Sequence, residues 1–274
     1  MIGMSFAPAH ITVYFSIHDS NNILEKGSTG VGICLPLGVH ATSSIKPAVS
    51  TNITVFNQNV EIDDPVTKRA ISLILKEPSE VIVNLDRELP VGFGFGISGA
   101  SALSACLSIS NSISAAHKAS HMAEVEYNTG LGDVAAQAAS LRKNHFPSIV
   151  IRNSPGFNES VKIINPSHSF AVCLQGGGKN TNQVLNNDVL TSKINEAFSQ
   201  INSHNFSIPN IISSGFSFSK SAGLLSSNSS EIISSLPDDS LATLAHLGTA
   251  IIAFGEDILQ VEKHLIKYGK VLRF

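Results

Sequence analysis

The sequence predicts an α+β protein of two subdomains, on three observations. At 274 residues the chain is longer than a single core of about 100 to 200 residues requires. Candidate strands in its first third are followed by helical patterns without strict βαβ alternation. Near Asn165, Pro166 and Ser167 the pattern restarts, which divides the chain into 1–166 and 167–274.

Taken in order, alternation and β-branched residues predict strands over Ile11 to Ile17, Val39 to Ile45, Asn52 to Phe56 and Val81 to Asn84. Thr67 to Lys76 carries apolar residues at helical spacing, and Ala100 to Ala119 is a long run of small helix-compatible residues. Asp133 to Leu141 reads as a helix with a carboxylate at its positive end. Ser148 to Arg152 and Ser160 to Ile164 read as strands flanking the turn SPGFNE. The second subdomain opens with the strand FAVCL, the glycine run Gly176 to Gly178, and a helix from about Asn180. Between Ser213 and Ser235 there are 11 serines, but Ile, Phe and Leu recur among them at helical distances, which favours amphipathic helices over a flexible linker. A strand TAIIAFG and a charged helix EDILQVEKHLIKYGK close the chain.

Composition narrows the function classes. With 43% hydrophobic and 14% charged residues the chain is globular rather than disordered. A formal net charge of −3 gives no field to gather nucleic acid or an anionic membrane. Cys34, Cys106 and Cys173 are far apart, which fits neither a disulfide framework nor a CxxC metal site, and predicts buried thiols in a reducing compartment. The start, MIGMSFAPAHITVYF, lacks the pattern of a signal peptide, so a cytoplasmic address is expected. Leu89 to Ala116 has no charged residue, yet its glycines and serines favour a loop feeding a buried helix over a membrane span.

That segment carries the clearest chemical signal. Gly92, Gly94, Gly96 and Gly99 crowd before a helix, where backbone N–H groups and the helix dipole suit a phosphate. The same glycines also suit a bulged strand or close helix packing, and the lysine of a Walker loop is absent.

Pro90, Gly94, Gly96, Ser98 and Ala100 resemble the phosphate loop PxxxGxGSSxA of the GHMP kinase superfamily, with Ile97 in the first serine position. Two more segments resemble that family in the same order: Ala7-Pro8-Ala9-His10-Ile11, and Ala245-His246-Leu247-Gly248-Thr249-Ala250. Within the superfamily, APAHIT, KGSTGVGICL, PVGFGFGISGA and AEVEYNTGLGDVAAQ are similar to the archaeal pantoate kinases. The resemblance implies a two-subdomain GHMP kinase-like fold, with an N-terminal mixed sheet with helices and a C-terminal antiparallel sheet backed by helices. It also implies transfer of phosphate from ATP, with Mg²⁺, to the hydroxyl of pantoate on the archaeal route to coenzyme A. A homodimer is implied as well.

Site residues follow from the resemblance. Asp133 matches the catalytic aspartate, for which the plain alternative is a helix cap. Gly92, Gly94, Gly96, Ser98, Gly99 and Ala100 match the ATP-binding loop. Ser98 and a glutamate match the metal ligands; Glu124 and Glu126 compete, and Glu124 is preferred because it shares a helical face with His121. Ser28, His121, Arg152 and Thr181 match substrate-side positions, Arg152 facing the carboxylate with Arg142 as the alternative. His10 replaces the lysine common in the first segment, so no basic contact is assigned there. The alternatives are a homoserine, mevalonate or sugar kinase of the same superfamily, or a transferase on the same fold.

Overall fold

The computed structural model describes residues 2–157, 160–176, 187–202 and 205–274. Two sheets organise the chain. The first has seven strands, β1 (Ile2–His18), β2 (Gly27–Pro47), β3 (Asn52–Asn57), β4 (Val60–Glu61), β5 (Ser79–Arg87), β6 (Ser148–Arg152) and β7 (Val161–Ile164). Its order is β4-β3-β5-β2-β6-β7, with β1 paired to β2, and it is mixed because β3 runs parallel to β5 while the other pairs are antiparallel. The second is antiparallel, β11-β8-β10-β9, from β8 (Ala171–Gln175), β9 (Leu241–Leu244), β10 (Ile251–Phe254) and β11 (Gly269–Arg273). This is the predicted α+β architecture.

Helices α1 (Pro65–Ile74), α2 (Ile97–Ser110), α3 (Ile113–Glu126) and α4 (Asp133–Lys143) accompany the first sheet. Helices α5 (Asp188–Ser199), α6 (Ile208–Ser221), α7 (Ser227–Ser234) and α8 (Ile258–Leu265) belong to the second half of the chain. A single hydrophobic cluster runs from Ile11 and Ile33 in the first sheet through Leu103 of α2 to Phe170, Phe218 and Ile252 of the second half. The serine-rich stretch does form helices. In α6 the buried face is Ile208, Ile211, Ile212, Gly215 and Phe218, and the serines lie largely outside it.

Several boundaries differ from the sequence expectation, each for a local reason. Strand β2 begins at Gly27, well before the expected Val39, because Gly30, Gly32 and Gly38 break the alternation that a strand normally shows. These glycines are needed because β1 lies so close that a Cβ at Gly38 would sit 2.0 Å from the Ala7 carbonyl oxygen. The run Ala100 to Ala119 is two helices, not one. Asn111 adopts a left-handed conformation at φ 52° and Ser112 caps α3 through Ala115 N–H. The final helix ends at Leu265, and Gly269–Arg273 pairs with β8 as a strand. The glycines Gly177 and Gly178 and the start of the helix expected from Asn180 lie outside the described residues.

The uncharged segment folds inward. Among the described residues no helix is long and apolar enough to cross a membrane. Instead Ile97, Ala100, Leu103, Ala105 and Cys106 of α2 are buried against the first sheet, and serines among them are satisfied by carbonyls one turn back. All three cysteines are free and buried.

Candidate active site

The loop between β5 and α2 is built from glycine because its backbone demands it. Gly92, Gly94 and Gly96 have φ of 88°, 89° and 58°, a region costly to other residues. Helix α2 starts after Gly96 with no side-chain cap, so the N–H groups of its first turn are left for a ligand. The loop is gripped from both sides. His10 N–H donates to the Phe95 carbonyl at 2.9 Å, and Ala250 N–H donates to the Phe93 carbonyl at 3.2 Å. His246 N–H in turn donates to the Thr12 carbonyl at 2.9 Å, closing the three segments into one unit. A Cβ at Gly248 would sit 2.0 Å from Phe93, and one at Gly94 would sit 2.4 Å from the Ala245 carbonyl oxygen, which explains both glycines.

This unit walls a cleft of roughly 710 Å³, counted to its open mouth. Gly92, Gly94, Gly96 and Ser98 of the loop line it together with Ser28, Gly132, Asp133, Thr12, Phe15 and His246. Such a volume suits a small polar ligand beside a nucleotide's phosphates.

Two carboxylates enter the cleft. Asp133 is the first residue of α4, and its Oδ1 lies 2.6 Å from His10 Nδ1 and 3.5 Å from Thr12 Oγ1. Burial pushes this carboxyl upward, but the His10 hydrogen bond and the charge of Arg152 outweigh it and hold the group below the usual carboxylate range. Glu124, on α3, is 2% exposed and accepts hydrogen bonds from Ser98 Oγ at 2.6 Å and Thr129 Oγ1 at 2.7 Å. Burial pushes it up to about 7, against the pull of those two hydroxyls. Glu126 points elsewhere and forms a surface ion pair with Arg69 at 2.6 Å.

The remaining expected residues divide. Ser28 lines the cleft, its Oγ beside Gly132, where a Cβ would approach it to 2.3 Å. Arg152 is 3% exposed and lies behind Gly132, with Nη1 3.4 Å from His10 Nε2 and 3.4 Å from the Gly132 carbonyl oxygen. Its Nε is buried without a hydrogen-bond partner, and a Cβ at Gly132 would meet it at 2.8 Å. His121 is not in the cleft wall; its Nε2 lies 3.1 Å from the Ile23 carbonyl oxygen, fixing the turn before β2. Thr181 lies outside the described residues. Thr12, Phe15, Thr129 and His246 also line the cleft, and none of the four was assigned a role from the sequence. Gln137 is a fifth contributor, its Nε2 donating to the Gly96 carbonyl at 2.8 Å one turn after Asp133. Its place in AEVEYNTGLGDVAAQ, four residues beyond the aspartate, is the one signal that points to it.

Three ordered segments are thus locked around one glycine loop, with an aspartate at the start of α4 beside it. The chain is similar over nearly its whole length to pantoate kinases, and its fold is that of the GHMP kinases. No protein-family model matches it. It is 28% identical to the pantoate kinase of Methanocaldococcus jannaschii, over 95% of this chain and 97% of that one. It is 26% identical to the pantoate kinase of Methanospirillum hungatei, over 98% and 92% of the two chains. Among solved structures, the fold is similar to a phosphotransferase related to the coenzyme A biosynthesis pathway, with a TM-score of 0.79 at 22% identity, covering 100% of this chain and 99% of that one. A mevalonate kinase follows at 0.62 and 14% identity, over 100% and 98%.

Proposed function

We propose that this GHMP kinase phosphorylates pantoate, giving 4-phosphopantoate and ADP, within coenzyme A biosynthesis. The observation that carries the proposal is the pairing, at one wall of the cleft, of a charged aspartate at the start of α4 with a buried guanidinium behind Ser28 and Gly132. Pantoate offers a hydroxyl to the first and a carboxylate to the second. The similarity to pantoate kinases over nearly the whole chain supports the same substrate.

In this reading the triphosphate lies along Gly92, Gly94, Gly96, Ser98, Gly99 and Ala100, where the uncapped start of α2 offers N–H groups and a positive dipole end. Asp133 accepts the proton of the substrate hydroxyl while its oxygen forms a bond to the γ-phosphorus and the bond to the bridging oxygen of ADP breaks. Arg152, through the unpartnered Nε, and Ser28 draw the carboxylate towards Gly132, beside Asp133. Thr181 is proposed as a further substrate contact, and His121 as a residue that shapes the substrate side through the turn at Ile23.

The Glu124 carboxylate fits a divalent cation. It is buried, it has hydroxyl partners but no ion pair among the described residues, and burial leaves its charge uncompensated. Ser98 and Glu124 would hold Mg²⁺, which commonly takes one or two carboxylates together with substrate phosphates. When bound, the ion supplies charge neutralisation at the phosphates. The reading also carries the division into 1–166 and 167–274, a homodimer, and a cytoplasmic location; three buried free thiols support a reducing compartment.

The test is ADP release with pantoate, homoserine and mevalonate side by side. Pantoate is expected to be favoured in kcat/KM by at least tenfold; a preference for either other alcohol overturns the substrate. Arg152→Ala is expected to raise the pantoate KM by about tenfold or more while the ATP KM stays within about twofold. Equal changes in both would remove the carboxylate contact.

A further inference from the structure

His10 stands in the first of the three segments and has so far been given no part in the chemistry. It is fully buried on β1. Its two ring nitrogens have different partners: Nδ1 lies 2.6 Å from Asp133 Oδ1, and Nε2 lies 3.4 Å from Arg152 Nη1. A guanidinium can only donate, so Nε2 must accept, and the ring proton therefore sits on Nδ1 and is donated to the aspartate. Strand β2 makes room for this arrangement. A Cβ at Gly32 would fall 2.2 Å from His10 Nε2, so glycine is the residue that lets the ring lie between Arg152 and Asp133. Thr12 Oγ1 is a second donor to the same oxygen, at 3.5 Å. The other carboxylate oxygen faces the cleft: a Cβ at the cleft-lining Gly130 would lie 3.4 Å from Asp133 Oδ2.

We infer that His10 is a positioning residue: anchored by Arg152 and donating from Nδ1, it occupies Asp133 Oδ1 so that Oδ2 is the oxygen presented to the substrate hydroxyl. The inference rests on Asp133 as the proton acceptor. Burial holds the imidazole below its ordinary pKa, with Asp133 pulling upward and Arg152 downward, which agrees with a neutral ring. A neutral ring orients the aspartate without taking its proton, and this separates His10 from the lysine usual at that place in the family, whose charge would act directly on the cleft.

The experiment uses two variants of the purified full chain. Counted in bonds from Cβ, the amide nitrogen of asparagine falls at the Nδ1 position and that of glutamine at the Nε2 position. His10→Asn therefore keeps the donor to Asp133, and His10→Gln loses it. His10→Gln is expected to lower kcat about 10- to 100-fold with both KM values within about twofold, and His10→Asn to retain kcat within about fivefold. Equal losses in the two variants, unchanged kcat in both, or an effect confined to KM overturns the inference. In an Asp133→Asn background, His10→Gln is expected to change turnover less than twofold. If Asp133→Asn alone keeps wild-type turnover, the aspartate's role as base fails, and that outcome is distinct from failure at His10. Should the glutamine variant not fold, the imidazole ¹⁵N shifts of the wild-type protein decide: a proton on Nδ1 is expected, and a proton on Nε2 overturns the inference.

Discussion

Asp133 and Glu124 approach Gly130 from opposite sides, so a side chain there would sit 2.0 Å from Glu124 Oε2 and 3.4 Å from Asp133 Oδ2. Burial pushes both carboxyls upward, yet they behave in opposite ways. Asp133 has a histidine and a guanidinium behind it and stays charged below the normal range. Glu124 has only Ser98 and Thr129, and is pushed up to about 7. The upward push is common to both; the difference is the cation built into one half of the cleft and, among the described residues, missing from the other. A site with its own counter-charge suits proton transfer, and a site lacking one suits a divalent ion arriving with the nucleotide.

The largest effect is expected on the wired side. Asp133→Asn keeps shape and removes the proton acceptor, and kcat should fall about 10³-fold or more while ATP binding, followed by calorimetry, changes less than about threefold. Retained turnover would show that the charge of this half is not used in the chemistry. Glu124→Gln comes next and carries two signs. Turnover should drop about 100-fold, and extra Mg²⁺ should no longer raise it. Stability without metal should rise. With its folded pKa near 7 and an unfolded value near 4.5, the folded state holds more protons between these values, so Glu124 weakens the fold as pH climbs through that window. The stability gap in favour of Glu124→Gln should therefore widen from pH 5 to pH 8, by about 1 kcal/mol per pH unit up to pH 7. A gap that narrows would mean the carboxylate already has a counter-charge.

How much of this was legible in the sequence depends on the range of the interaction. The glycine loop was visible because its backbone conformation restricts the residue type at Gly92, Gly94 and Gly96, and Asp133 because a helix start favours a carboxylate. The second half's helices were visible through the spacing of Ile208, Ile211, Ile212 and Phe218. The His10 contact was not, since Asp133 is 123 positions away and Arg152 is 142. Gly32 even misdirected the reading, breaking the strand pattern of β2 for the sake of the ring opposite. The neighbour of His121 was hidden for a related reason: the resemblance that marks the residue says nothing about which segment its ring meets, and here it meets the turn at Ile23.

If partners and not burial set the behaviour of these groups, a buried ionisable residue with no partner at all should be a plain liability. His117 on α3 is such a residue. It is fully buried, neither ring nitrogen has a hydrogen-bond partner, and its contact is the Phe157 ring at 4.7 Å. Burial, with His121 and Arg142 adding repulsion, pushes it down to about 3. The unfolded chain takes up a proton below about 6.5 that the folded chain refuses until about 3, so His117 destabilises the fold as pH falls through that range. His117→Leu should stabilise the protein by about 1 kcal/mol at pH 7, by removing an unsatisfied polar group, and by more at pH 5. His246, likewise near 3, retains its own acid sensitivity and sets the remaining slope. Thermal melts across pH 5 to 8 check this, and a variant less stable than wild type at pH 5 would mean that His117 has a role its surroundings do not show.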